Sequence, residues 1–427
     1  MREKRFNGLP SGVARKLGLL LLSVAGTVGL HPAAAAVPPA VGVACTEGPN
    51  FTLNTSVGYI TLPDGNTMYM WGFSEAGKPF QHPGPVLCVN QGDTVTVVLQ
   101  NGFPDVPVSI IFPGQENVLA NGAPAQPQFS GPTLTSLTSA APAGGSVTYS
   151  FVASRPGTFL YESGTDPQTQ VRMGLFGALL VRPTAGADHA SNRADSQFTP
   201  AEHFMVLLSE LDPYQHQAAE SGLPFNVTRY HPRYWLVNGR GFPDSIADNF
   251  APWLPSQPYG ALARVHPMEA SGHPYPGLIR YLSVGTENYP FHPHGNNGLV
   301  IGRDGNPLEG PAAQDLSFEK FAINIGPGQT WDVTFQWHDA ESYSLANPVP
   351  VTTSNLANLV YGMFYGGSPY LGVTAPLPPC ASSVHGHGDG ARRPRPHRDR
   401  ARPGARALTP QKPPGPMYGS RSAPTSS

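Results

Sequence analysis

Short runs of alternating apolar and polar residues recur along most of the chain, punctuated by Gly, Pro, Asn and Asp. "TVTVVL", residues 94–99, shows the alternation most plainly, and a period of two is that of a half-buried β-strand. "YITLPDGNTMYMWGF" reads as strand, turn, strand, with the turn at Pro63-Asp64-Gly65-Asn66, a composition suited to tight reversal. "GPVLCVNQGDTVTVVLQNGF" repeats the scheme around Gln91-Gly92-Asp93, and "GGSVTYSFVAS", "GTFLYES" and "MGLFGALLVRP" add further strands. After a stretch with few apolar residues come "HFMVLLSEL", "YWLVNGRGFPD", "LIRYLSVG", "NGLVIGRDG" and "FAINIGPGQTWDVTFQW". The turn-plus-strand "QGDTVTVVL" is echoed by "GPGQTWDVTF", which suggests a duplicated unit. The pattern predicts an all-β protein of two Greek-key β-sandwiches. The first runs over residues 45–183 and the second over 202–377, with a linker at 184–201.

The ends of the chain follow other rules. Residues 1–36 hold a basic start, the apolar run "LGLLLLSVAGTVGL" and small residues around Ala35 and Ala36, the layout of a secretory signal peptide. The apolar run is too short to span a bilayer, and no later segment reaches the roughly 20 apolar residues a membrane helix needs. The expected location is therefore secreted or periplasmic, with no membrane span. Residues 37–380 hold 12 Lys and Arg against 25 Asp and Glu, so this acidic body offers no basic face for nucleic acid. Residues 381–427 reverse the balance, with 9 Lys and Arg against 2 Asp. They lack periodicity and large apolar residues and are expected to form a disordered basic tail.

Cys45, Cys88 and Cys380 are the three cysteines. Export permits disulfides, and Cys45 and Cys88 share a predicted sandwich, so a bridge between them is expected; Cys380 has no evident partner. "NYPFHPHGNN" places His292 and His294 two apart, and "VHGHGDG" does the same with His385 and His387. In an extended chain this spacing points both rings to one face, roughly 6.5 Å apart at Cα. His82 and His338 read as loop-edge histidines without a role, and Phe159, Tyr161, Met173 and Phe176 as core. Neither a Gly-rich strand-to-helix loop for phosphate nor a G-x-S-x-G elbow is present.

"LIRYLSVGTENYPFHPHGNNGLVIGRDG", followed by "INIGPGQTWDVTFQW", resembles the copper-ligand loop and flanking strands of multicopper oxidases. "FQHPGPVLCVNQGDTVTVVLQNGFPDVPVSIIFPGQ" and "GTFLYESGTDPQTQVRMGLFGALLVRP" resemble earlier regions of the same family, and the likeness runs in order over about residues 55–375. The resemblance implies cupredoxin sandwiches and copper as cofactor. In that family a mononuclear copper bound by His, Cys and His passes electrons to three coppers held by paired histidines, where oxygen becomes water. At the matching positions this chain has Ile111 and Pro113, then Glu162 and Gly164, and Tyr289 in place of the first histidine of "HPxHxHG". Only His292 and His294 remain. The thiolate-bearing strand should follow near Pro379, where the basic tail begins instead.

The resemblance thus implies a secreted copper-binding protein of oxidoreductase type lacking most copper ligands, with at most a partial site at His292 and His294 and Glu162 as an additional ligand. The rival reading is a non-catalytic secreted binding or structural protein on a cupredoxin scaffold. The pair itself has two readings: it holds one copper or zinc ion, or it packs between the sandwiches against Glu162 or a backbone carbonyl. Whether the chain is an enzyme, its substrate and whether it forms a homo-oligomer stay open.

Overall fold

The computed structural model describes residues 39–266, 268, 273–294 and 297–336, with the strand backbones at 350–352, 374–376 and 405–407. The expected signal peptide, most of the expected tail, His338, Cys380, His385 and His387 lie outside the described residues. Those described belong to one unit, Pro38–Ser427.

Strands carry the architecture, as the alternation predicts. In the first sandwich a six-stranded sheet takes the order Thr67–Glu75, Asn50–Thr61, Thr94–Gln100, Ser146–Val152, Leu119–Ala120, Ala123–Pro124. A four-stranded sheet, Cys45–Glu47, Val86–Asn90, Phe176–Arg182, Gly157–Glu162, faces it. Phe51, Leu53, Val95, Val97, Leu99, Tyr149 and Phe151 of one sheet meet Leu87, Val89, Phe159, Tyr161, Leu179 and Val181 of the other in a single apolar core. The turn at Gly92, with φ of +92°, carries the chain from one sheet to the other, where the sequence suggests only a reversal. Cys45 and Cys88 are bonded, with Cα atoms 5.6 Å apart, on parallel neighbouring strands.

The second sandwich is built on a seven-stranded sheet whose main path runs Tyr234–Val237, His203–Leu211, Gly277–Ser283, Thr330–Phe335, Gly298–Arg303, Asn306–Pro307. The pair Tyr289–Phe291 and Ile323–Ile325 closes its core over Phe204, Val206, Leu208, Ile279, Tyr281, Val300 and Val333.

Two runs that do not alternate, "FGALLVR" and "HFMVLLSEL", find their reason between the sandwiches. Their odd and even positions serve different cores. Leu179 and Val181 point into the first sandwich, whereas Phe176, Ala178 and Leu180 join Met205, Leu207, Leu282 and Val284 in a layer shared with the second. Strands covered on both faces read as continuous apolar runs. A buried polar tie crosses the same junction. Arg280 pairs with Asp332 at 3.1 Å and donates to Thr158 Oγ1 at 2.9 Å, Thr158 donates to Asp332, and Thr330 Oγ1 donates to the Thr158 carbonyl at 2.7 Å.

Two short helices, Pro167–Met173 and Pro213–Glu220, go beyond the strand pattern. Each opens on Pro, which suits a first helical turn, but neither is long enough to show a helical period. Within 184–201, Ala190 and Phe198 are buried against Leu278, so this segment is packed rather than bare chain. No described helix is long and apolar enough to cross a membrane.

Candidate functional site

The two motif segments of the first sandwich lie side by side. Ile111 N–H donates to the Glu162 carbonyl at 2.8 Å, and Glu162 N–H to that of Ile111 at 3.2 Å. Positions 111 and 162, where the resemblance puts imidazoles, therefore form a bridge. Gly164 is enclosed. A Cβ there would stand 2.7 Å from Ile111 Cγ2, 3.0 Å from Ser109 Oγ and 3.3 Å from Leu137 Cβ. Ser109, Ser136 and Thr165 join their hydroxyls at 2.9 to 3.0 Å beside it, so the space is filled by methyl groups and satisfied hydroxyls. Pro113 is exposed and Glu162 half-buried; burial holds the Glu162 carboxyl above its ordinary pKa.

In the second sandwich Tyr289 occupies the first histidine position of "HPxHxHG". Its ring is buried and its hydroxyl donates to Glu210 Oε2. Glu210 Oε1 accepts from the backbone and hydroxyl of Thr286. Burial, then the Glu210 charge, raises the Tyr289 phenol, so the group stays a neutral donor.

His292 and His294 follow. Their ring centroids are 4.9 Å apart, tilted by 39°. His292 stacks on Phe321 with centroids 3.9 Å apart, and its Nδ1 lies 2.7 Å from the Phe321 carbonyl. A carbonyl only accepts, so Nδ1 carries the hydrogen and Nε2 of the neutral ring keeps a lone pair. His292 is partly buried and His294 exposed. Among the described residues, the group of three whose ligand atoms all lie within 4.8 Å of one another is Glu202, His266 and His273. Neither Glu162 nor the 292/294 pair belongs to it.

His82 differs from its expected loop-edge place. The stretch "FQHPGP" looks like an exposed turn, yet His82 is fully buried. Its backbone N–H donates to Ser256 at 2.7 Å and Phe176 meets its ring edge-on at 5.3 Å. Neither ring nitrogen finds a hydrogen-bond partner among the described residues. Burial, with His216 nearby, pushes its pKa down to about 3. His216 is likewise buried, its Nδ1 2.6 Å from the Tyr69 carbonyl, and burial lowers it to about 4. Phe159, Tyr161, Met173 and Phe176 are core. The Glu202 group escaped the sequence reading because Glu202 and His266 are 64 residues apart. The available signal was the pair of His-Pro steps at 266 and 273.

Residues 59–186 match the family described as multicopper oxidase. Over that segment the chain is similar to multicopper oxidases. Among curated proteins, L-ascorbate oxidase of Cucurbita maxima is 30% identical over 191 residues, 44% of this chain and 29% of that protein. The match thus spans under a third of that relative's length. Among solved structures, multicopper oxidase mgLAC aligns with a TM-score of 0.49 at 20% identity, over 71% of this chain and 78% of that one. Blue copper oxidase from Nitrosomonas europaea aligns with a TM-score of 0.48 at 20% identity, over 70% and 77%. The similarity to multicopper oxidases implies copper as the metal.

Proposed function

We propose that this chain is a secreted copper-binding protein of the multicopper oxidase family that holds copper weakly at His292 and His294 and does not assemble an oxygen-reducing cluster. The observation that carries the reading is the filled space at Gly164, where a Cβ would meet Ile111 Cγ2 at 2.7 Å. Alkyl and glycyl positions cannot ligate, and at Gly164 packing has closed over the place. Tyr289 adds support, since its hydroxyl is taken up by Glu210. His292 favours the partial site, because a histidine that donates Nδ1–H to a carbonyl presents an oriented Nε2. Copper bound there takes two imidazole nitrogens and no thiolate, with water or Glu162 completing the shell.

The test is metal content, absorption spectrum and oxygen uptake of the purified, copper-loaded protein. The expected result is at most one weakly held copper per chain, no intense thiolate-to-copper band and no oxygen consumption with an electron donor. Replacing His292 or His294 with Ala should remove that copper. Several tightly bound coppers with oxygen uptake would overturn the proposal.

A further inference from the structure

A second metal-ligand group lies at the base of the second sandwich. Glu202 ends the short turn Pro200–Glu202 and immediately precedes strand His203–Leu211. His266 follows strand Leu262–Arg264, and His273 precedes strand Gly277–Ser283. Because His203–Leu211 and Gly277–Ser283 pair in parallel, with His203 opposite Leu278, Glu202 sits at the end of the sheet where both histidines arrive.

The geometry around the carboxylate is lopsided. Glu202 Oε1 lies 2.7 Å from His266 Nδ1 and 2.7 Å from His273 Nδ1, and accepts the His266 backbone N–H at 3.0 Å. Oε2 is buried without a hydrogen-bond partner among the described residues. His273 Nδ1, although equally close, lacks the alignment of a hydrogen bond. The two imidazoles stack with centroids 4.1 Å apart at 26°. The Glu202 side chain is 2% exposed, against 32% and 20% for His266 and His273.

A buried carboxylate needs a compensating charge. One imidazolium, His266 donating Nδ1–H to Oε1, would supply it but would leave Oε2 and His273 Nδ1 unengaged. One divalent cation between two neutral imidazoles and the carboxylate meets the same need and engages both histidines. Two imidazoles and one carboxylate form a donor set that zinc takes, leaving a fourth position to water. Tetrahedral bonds of about 2.0 to 2.2 Å set ligand atoms roughly 3.3 Å apart, so the 2.7 Å contacts need open by only a fraction of an ångström. The acidic balance of residues 37–380, with 12 cationic side chains against 25 anionic, favours a cation there.

We infer that Glu202, His266 and His273 form a binding site for one divalent transition-metal ion of the zinc type, separate from the 292/294 pair. The ion neutralises Glu202 and ties the flanks of the connection between Leu262–Arg264 and Gly277–Ser283 to the start of the neighbouring strand. Water-facing histidines leave the ion exchangeable.

The experiment is equilibrium binding of Zn²⁺ to the full chain carrying His292→Ala and His294→Ala, so that the first pair cannot contribute. One equivalent of Zn²⁺ should bind. Adding His266→Ala or His273→Ala should weaken it at least about tenfold, the least that disturbing even an outer partner of a metal site costs. Both positions are partly exposed, so these variants should keep the wild-type circular dichroism. X-ray absorption of the zinc-loaded protein should show two imidazoles with oxygen ligands, a readout that needs no Glu202 variant. Undiminished binding in the His266 and His273 variants, no stoichiometric zinc, or a zinc shell without imidazole would each overturn the inference. Failure of copper binding at His292 and His294 would leave it untouched.

Discussion

Tyr289 hands its hydroxyl hydrogen to Glu210, and the two side chains are buried together between strand ends of the second sandwich. Where the family resemblance puts a copper-binding imidazole, this chain has a structural phenol. Tyr289→Phe keeps the ring and removes the donor. It should cost about 1.5–3 kcal/mol, the range for a hydrogen bond to a charged group, read as a lower midpoint in urea unfolding with an unchanged slope. A midpoint equal to wild type would show that Glu210 does not depend on this hydroxyl.

Gly164 should tolerate no side chain. The Cβ of Gly164→Ala would come within 2.7 Å of Ile111 Cγ2, an overpacking expected to cost about 1–3 kcal/mol. Adding Ile111→Ala should recover part of the loss, because two changes at one contact couple. A double-mutant cycle in thermal unfolding reads the coupling directly. Additive losses would mean that the strain lies elsewhere.

The junction between sandwiches should depend on its ion pair. Asp332→Ala leaves the Arg280 guanidinium uncompensated, with side chains only 3% and 8% exposed in the native pair. Removing one partner of such a pair costs about 3–5 kcal/mol. Replacing Arg280 and Asp332 together with apolar residues should cost less than Asp332→Ala alone. Denaturant unfolding of the three variants decides this, and equal stability of Asp332→Ala and wild type would refute it.

Acid should weaken the fold before the carboxylates titrate. His82 and His216 are held neutral by burial, at about 3 and about 4, against about 6.5 in the unfolded chain. Below pH 6.5 the unfolded chain takes up protons that the folded chain refuses, so stability falls as pH drops through the window from 6.5 towards 3. Each histidine contributes at most about 1.4 kcal/mol per pH unit. Unfolding midpoints at pH 7 and pH 5 should differ in that direction, and His82→Leu should flatten the curve. A midpoint unchanged between the two pH values would show that these rings accept protons in the folded state.

The sequence alone determined the strands. "TVTVVL" and "SVTYSFV" alternate because one face of each strand meets a core, and this period-two signal is local. It also determined that positions 111, 113 and 164 carry no metal-ligating side chain, since residue identity settles that without coordinates. Tertiary structure decided what fills those places. The contact awaiting a Gly164 Cβ comes from Ile111, and the acceptor for Tyr289 is Glu210, 79 residues away. It also decided which histidines are buried. His82 lies in a turn-like sequence and is covered by Phe176, whose strand forms much later in the chain. Glu202, His266 and His273 meet only because two strands pair in parallel. Local pattern reports the face a residue shows, whereas a site needs side chains from distant strands at one point, and only the closed fold supplies that.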